Sequence, residues 1–193
     1  MAAAIYNTAN KEGVDINQVF ILDPTATIEY PNPPFLPGDQ AFGTDGSAWV
    51  YCTASITLAA GSVVLLSQTQ GSFSVALIGG SSVTAAANTQ GMLVGVIGGS
   101  NGSLVVPAPS GTQKGTYFWV QRNGNAPNVK TLASTTKLSQ LYSIATVAGQ
   151  VFTTAGGAGT TYQINGLVIS GATGSAAGPN AAVLNWPSVG IGA

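Results

Sequence analysis

From Ser47 onward, the chain consists of short segments with many apolar residues, separated by turn-forming stretches. SAWVYCTASITL alternates between apolar and polar residues and is rich in aromatic and β-branched types, and further strand-like segments follow, such as VVLLSQ, SFSVALI, GMLVGVIGG and TYQINGLVIS. A period of two is typical of β-strands, and segments recurring roughly every 8–12 residues are typical of sandwiches and barrels. We therefore predict an all-β body over residues 46–171, built as an antiparallel β-sandwich or β-barrel of jelly-roll or tulip-like type.

The two ends of the chain differ in composition from the body. Residues 1–45 contain five of the ten prolines, between Pro24 and Pro37, and proline favours extended chain without backbone donors. We predict an extended N-terminal arm with a short strand near QVFIL. Residues 172–193 are rich in small residues and contain Trp186 as an anchor. We predict a tail that packs on the body or on a neighbour.

The stretch GTYFWVQRNGNAPNVK raises three alternatives: a nucleic-acid-binding strand, a catalytic edge or a core hairpin. It matches the RNA-recognition pattern poorly, and four cations in residues 46–193 cannot form the basic stripe that binds phosphates. Asn123-Gly124 is a strong hairpin signal because both residues tolerate positive φ. We predict that residues 116–121 and 128–133 pair as a hairpin in the core, and that the protein binds no nucleic acid.

Charge is scarce and unevenly distributed. Charged residues make up only 6% of the chain, against about 25% in typical domains. All six acids lie in the first 45 residues, which also contain Lys11 and carry a net charge of −5, whereas residues 46–193 carry +4. This asymmetry predicts that the arm lies on a mildly basic body, either its own or a neighbour's. The predicted charge partners of the arm are Lys114, Arg122, Lys130 and Lys137.

The residue types that carry most enzyme chemistry are missing. The chain has no histidine, and residues 46–193 contain no acid, so the body cannot supply a Ser-His-Asp triad, a carboxylate pair or a hard-cation site. Its glycine-rich stretches do not match a phosphate-binding loop. Cys52, the only cysteine, lies in an apolar strand pattern and is predicted to be a small buried residue. We expect no enzyme activity, cofactor or metal, and we find no membrane span or secretory signal in the sequence.

Four short motifs resemble a family of small β-rich structural proteins of tailed bacteriophages. They are Gly-x-x-Val-x-Leu at Gly61–Leu66, Val-Gly-Val at Val94–Val96, Gly-x-x-x-Trp-Val-Gln-x-x-Gly at Gly115–Gly124 and Ala-Gly-x-Val at Ala148–Val151. The resemblance covers about residues 38–170 and implies a decoration, or cement, protein on the outside of the capsid, made in the host cytoplasm. It further implies contacts with the major capsid protein and with copies of itself, with a homotrimer expected.

Candidate interface residues follow from the apolar positions of the arm and tail. They are Ile16, Val19, Phe20, Ile21, Leu22, Tyr30, Phe35 and Trp186. We expect the arm residues to dock on a neighbouring body or on the capsid protein, so that deleting residues 1–37 abolishes particle binding and leaves a folded body. The alternative is a glycan- or receptor-binding module of a phage tail, fibre or cell surface. Its stacking aromatics would be Trp49, Tyr51, Tyr117, Trp119 and Tyr162, although these residues can equally fill the core.

Overall fold

The computed structural model describes residues 5–7, 14–23, 25, 32–69, 72–79, 92–98, 102–144, 147–153, 161–171 and 177–192. In these residues the regular structure consists of β-strands, with no helix, which confirms the all-β prediction. The strands are β1 (Ile5–Asn7), β2 (Phe20–Leu22), β3 (Gln40–Gly43), β4 (Ala48–Ala54), β5 (Leu58–Ala59), β6 (Val63–Thr69), β7 (Ser72–Leu77), β8 (Leu93–Ile97), β9 (Val105–Val106), β10 (Gly115–Thr131), β11 (Leu141–Ile144), β12 (Val147–Phe152), β13 (Thr161–Ile169) and β14 (Gly178–Gly192).

Twelve of these strands form one sheet, and β5 and β9 form a second, two-stranded sheet. The order in the large sheet is β1-β3-β4-β7-β6-β8-β14-β13-β11-β12-β10-β2, with additional pairings of β10 to β4, β8 and β14. Most neighbours are antiparallel, but β4 pairs with β7 and β10 pairs with β12 in parallel. The sheet is therefore mixed, and the expectation of a purely antiparallel body is wrong at these two pairings.

The predicted hairpin at Asn123-Gly124 is also wrong, because Gly115–Thr131 is one continuous strand of 17 residues. Its first half pairs with β4, from Thr116 opposite Ala54 to Asn123 opposite Ala48, and its second half pairs with β14. Gly124 has a φ of +94°, and a Cβ there would lie 2.9 Å from the Cα of Ser47. Glycine at position 124 therefore allows β10 to approach Ser47 closely. Pro127 falls within a register shift between β10 and β14, where a missing backbone N–H is tolerated.

The C-terminal segment is a strand and an integral part of the large sheet. The 15 residues Gly178–Gly192 pair with β10, β13 and β8. Alternate side chains such as Ala182 and Leu184 are buried, because small and branched residues fit a crowded sheet interface. The tail therefore packs on its own body, which is the first of the two alternatives given for it.

Segments of the predicted N-terminal arm also join the sheet. β2 confirms the strand expected near QVFIL, and it pairs with β10 so that Phe20 lies opposite Tyr117. β3 pairs with β4, and β1 pairs with β3. The arm thus adds edge strands to its own chain.

Three clusters of buried side chains hold the sheet together. The first, called cluster A, lies among β6, β8 and β10–β14 and includes Leu65, Val96 and Ile164. Cluster B lies among β4–β10 and includes Cys52 and Phe118, so the expected burial of Cys52 is confirmed. Cluster C consists of Ile16, Ala41, Trp49, Tyr51 and Trp119, with Val14, Phe35 and Tyr117 packed against it. In the described part of the chain, no helix is long and apolar enough to cross a membrane.

Candidate functional site

Cluster C is where the arm meets the body. Ile16 is buried, and the ring of Phe35 packs edge-on against Tyr51 and Trp119, with centroid distances of 5.4 and 5.0 Å. Tyr51 and Trp119 themselves lie 5.0 Å apart, on adjacent strands. Edge-to-face aromatic packing of this kind stabilises a cluster beyond simple area burial. The arm therefore covers a large aromatic surface of its own chain.

The other predicted arm residues lie beside this cluster. Phe20 packs edge-on against Tyr117, with ring centroids 6.2 Å apart, and Ile21 and Leu22 continue the pairing of β2 with β10. Val19 is partly buried against cluster B. Tyr30 lies outside the described residues. Deleting residues 1–37 would uncover buried aromatic side chains, so we no longer expect that truncation to leave the body unperturbed.

Four carboxylates of the acidic segment bind backbone N–H or hydroxyl groups close by. Asp15 Oδ1 accepts a hydrogen bond from Asn17 N at 2.9 Å, and Asp39 Oδ2 accepts one from Leu36 N at 2.8 Å. A bond from the backbone N–H two residues after the aspartate, as at Asp15, defines an Asx-type turn. Asp45 does the same with Ser47, and hydrogen bonds to the side chain and backbone of Ser47 lower the pKa of Asp45 despite partial burial. These acids therefore shape turns in their own segment.

Asp23 additionally links the arm to the loop before β10. Its Oδ1 accepts hydrogen bonds from Thr25 Oγ1 at 2.7 Å and from Thr112 Oγ1 at 3.1 Å. Beside it, Lys114 N donates to Leu22 O at 2.7 Å. Hydroxyl and backbone donors therefore help to hold the arm at this point.

The predicted cations lie in three different surroundings. Lys114 and Lys137 are exposed, the first just before β10 and the second between β10 and β11. Lys130 is partly buried, and its Nζ donates to Ser62 Oγ at 3.3 Å. Arg122 differs from all of them because only 3% of its surface is exposed.

Arg122 is a buried cation whose Nε and Nη1 have no hydrogen-bond partner. The ring of Trp186 lies over it, with the guanidinium carbon 5.7 Å from the ring centroid. Burial lowers the pKa of Arg122 to about 10, and Cys52 opposes this shift. The guanidinium therefore stays charged at neutral pH, although none of the carboxylates that the structure describes contributes to its pKa. Burial of Arg122 was not anticipated from the sequence, because a single Arg in a strand usually keeps its head in water.

A second polar feature, also missed from the sequence, is a cavity of about 290 Å³ beside β10 and β14. Asn128, Lys130, Thr131 and Gln150 line it together with small residues. The backbone of Gly61 meets this region closely, since Lys130 N donates to Gly61 O at 2.8 Å. The cavity offers several amide and hydroxyl groups and one amine.

The aromatics considered for sugar stacking are largely inside the protein. Trp49, Tyr51 and Trp119 are each no more than 2% exposed, and Trp49 Nε1 donates to Ser47 Oγ at 3.0 Å. Tyr162 is also buried, and Tyr117 packs against cluster C. The interpretation of these residues as core is confirmed, whereas Trp186 is 45% exposed.

Within the described residues, no group of three or more His, Cys, Asp or Glu side chains is arranged to hold a metal ion. The chain matches no protein-family model and no curated protein at significant similarity.

Proposed function

We propose that this chain is a virion structural protein that decorates the outside of a tailed-bacteriophage capsid and stabilises the shell. The observation that carries the proposal is the arrangement of the four motifs by which the sequence resembles such proteins. They fall on β6, β8, β10 and β12 and the residues immediately before them, and these strands are successive neighbours in the sheet. Val63 lies opposite Val96, Val120 opposite Ile97, and Thr131 opposite Val151.

Two of the motif glycines, Gly61 and Gly149, occupy positions where a side chain would not fit. Gly61 has a φ of +74°, and a Cβ there would clash with the carbonyl oxygen of Asn128. Gly149 has a φ of +75° and packs against Leu77 and Ser62. Only glycine adopts such conformations without strain. The motifs therefore describe one tightly joined region, which favours a common scaffold over a chance similarity of scattered residues.

We further propose that the body is of barrel type. The pairings β4–β7, β7–β6, β6–β8, β8–β10 and β10–β4 form a closed circuit, and cluster B takes side chains from all five of these strands. A second circuit runs through β10, β14, β13, β11 and β12, and cluster A takes side chains from each of them. Two barrel-like halves that share β10 would resist bending, as a shell cement requires.

The surface supplies contact points without strong charge. Among the residues that the structure describes, eight large apolar side chains are well exposed: Leu36, Phe42, Ile56, Val105, Leu138, Val168, Val183 and Trp186. Val168 and Val183 are direct partners across β13 and β14. Exposed apolar residues on a nearly neutral surface suit close packing against the major capsid protein and against other copies of the chain, in a homotrimer.

The test is binding of the full chain to heads of the parent phage that lack it. We expect saturable co-sedimentation with these heads and a higher temperature of head disruption once the protein is bound. Replacing exposed Leu138 or Leu36 by Asp should weaken binding to the heads. Lys137→Met changes the residue next to Leu138 and serves as the control, with binding expected to stay unchanged. No sedimentation with heads, together with binding to a glycan array, would instead support the receptor-binding alternative.

A further inference from the structure

Arg122 and Trp186 occupy neighbouring positions on paired strands. The register places Asn123 opposite Asn185, so Arg122 and Trp186 are the next residues along β10 and β14. On the other side, Arg122 falls within the register shift between β10 and β4, which separates Gln121 from Asn123. Arg122 is therefore an irregular position where three strands meet, and its head is enclosed rather than directed to solvent.

An enclosed guanidinium with two unpaired nitrogens is costly, because a buried charge is stable only when it is paired and hydrogen-bonded. Contact with an aromatic ring compensates only in part. The residue covering the charge is itself unusual, since Trp186 has a φ of +46° and an exposed indole. Such a conformation is strained for any residue with a side chain, and strain of this kind is concentrated at binding and switching sites.

The chain itself limits what can complete the site. No Asp or Glu occurs after residue 45, so any side-chain carboxylate that this sequence supplies comes from the acidic segment. The described acids of the same chain bind Asn17, Thr25, Leu36 and Ser47, and none of them acts on Arg122. An identical acidic segment is present on every other copy of the protein. Trp and Arg are also the residues most enriched at the energetic centres of protein interfaces.

We infer that Arg122 and Trp186 form a self-association site that is completed by a carboxylate of a second copy. Trp186 covers the guanidinium in the isolated chain and moves aside when the carboxylate of residues 12–45 of the other copy binds. The inference rests on the self-association part of the proposed function and does not require a capsid. It gives that association a specific pair of residues and a specific ligand chemistry.

Sedimentation velocity of the full chain over a range of concentrations tests the site. We expect the wild type to associate and Arg122→Met to raise the dissociation constant by at least about tenfold, since truncating one partner of a desolvated charge pair is costly. Lys137→Met is the matched control, because it removes the same charge from an exposed turn and should change the dissociation constant by less than about threefold. A wild type that stays monomeric, or equal effects of both variants, would overturn the inference.

A stability measurement separates this effect from misfolding. At a concentration where both proteins are monomeric, Arg122→Met should melt at the same temperature as the wild type or higher, because it removes an uncompensated buried charge. If the variant monomer melts lower, Arg122 has its stabilising partner within its own chain, and the inference fails.

The source of the carboxylate is tested by neutralising each acid in turn. One of these variants should weaken association as much as Arg122→Met does, and combining the two should add nothing further. The six variants are Glu12→Gln, Asp15→Asn, Asp23→Asn, Glu29→Gln, Asp39→Asn and Asp45→Asn. If association depends on Arg122 but couples to none of these acids, a carboxylate of a second copy is not its partner.

Tryptophan fluorescence reports the movement of Trp186. Trp49 and Trp119 are buried, so a change of emission on association should be present in the wild type and absent in Trp186→Phe. An unchanged spectrum on association would exclude movement of this residue. None of these experiments needs phage heads, so the two proposals can fail separately. If the protein is monomeric but still binds heads, only this inference is refuted. If the protein associates through Arg122 but does not bind heads, only the decoration role is refuted.

Discussion

Replacing Phe35 by Ala tests most directly whether the arm is part of its own chain's core. The ring of Phe35 lies edge-on against Tyr51 and Trp119, at 5.4 and 5.0 Å, and is partly buried. Truncating a fully buried Phe costs about 3–5 kcal/mol of unfolding free energy. Because Phe35 is only partly buried, and aromatic pairs contribute about 0.5–1.5 kcal/mol each, we expect a smaller loss of about 2–3 kcal/mol.

The neighbouring residue provides a matched control. Leu36 is 71% exposed, so Leu36→Ala should change the free energy of unfolding by less than about 0.5 kcal/mol. Urea unfolding followed by tryptophan fluorescence measures both variants, and Trp119 serves as a local reporter. Because the change is confined to one ring, the denaturant slope should stay constant. Equal effects of the two variants, or a loss below about 1 kcal/mol for Phe35→Ala, would show that the arm does not stabilise the body in solution.

Two further predictions concern the strands around β10. Gly61→Ala should destabilise the protein by more than about 2 kcal/mol, because Gly61 has a positive φ and a Cβ there would clash with Asn128 O. Gly111 also has a positive φ but open space around it, so Gly111→Ala should cost only about 1–2 kcal/mol. Thermal unfolding compares the two variants, and equal losses of stability would argue against the close approach of Gly61 to Asn128. Burial raises the pKa of the Cys52 thiol, so above pH 9 the thiol ionises in the unfolded protein but stays protonated in the folded one. The free energy of unfolding is therefore unaffected by this thiol below pH 9 and falls as the pH rises further, by up to about 1.4 kcal/mol per pH unit. Unfolding at pH 8–10 should show this decline in the wild type and not in Cys52→Ala, and native Cys52 should resist a thiol reagent until the protein unfolds.

Several elements of the fold could be predicted because their signal is local. Alternation identifies β7, and apolar runs identify β2 and β6. Both faces of β6 are buried, with Val63 and Leu65 in cluster A and Val64 and Leu66 in cluster B, which agrees with its uninterrupted apolar run. Local propensity and tertiary burial agree in these segments, which is the usual condition for a reliable prediction.

The errors arise where long-range pairing overrides a local signal. Asn123-Gly124 is a favourable hairpin turn in isolation, but pairing with β4 on one side and β14 on the other keeps the strand extended. The parallel pairings leave no mark on alternation, because a strand alternates in the same way whichever direction its neighbour runs. β14 contains glycine, proline and alanine, which lower β propensity, and it is a strand because two long partners pair with it.

The candidate sites also combine features that the sequence reveals with features that depend on the assembled sheet. Scarcity of charge and the concentration of acids in the arm are visible in the sequence, but the burial of Arg122 depends on a register shift that only the assembled sheet produces. The aromatics of cluster C could be assigned to the core, whereas their covering by Phe35 and Ile16 depends on the path of a proline-rich segment. Charge asymmetry alone could not distinguish an arm on its own body from an arm on a neighbour.

The path of the arm has a consequence for how the protein could contact a shell. The inner face of the arm is occupied, since Ile16 is buried and Phe35 fills a space between two aromatic rings. Withdrawing it to bind a partner would cost the roughly 2–3 kcal/mol of Phe35 and, in addition, the pairing of β2 with β10. The outer face carries no such cost, because Leu36 and Phe42 are already 71% and 41% exposed. A neighbouring protein that binds the arm in place can therefore bury these two side chains without first breaking the fold. We accordingly expect the arm to contact its partners through this outer face, while its inner face stays on its own chain.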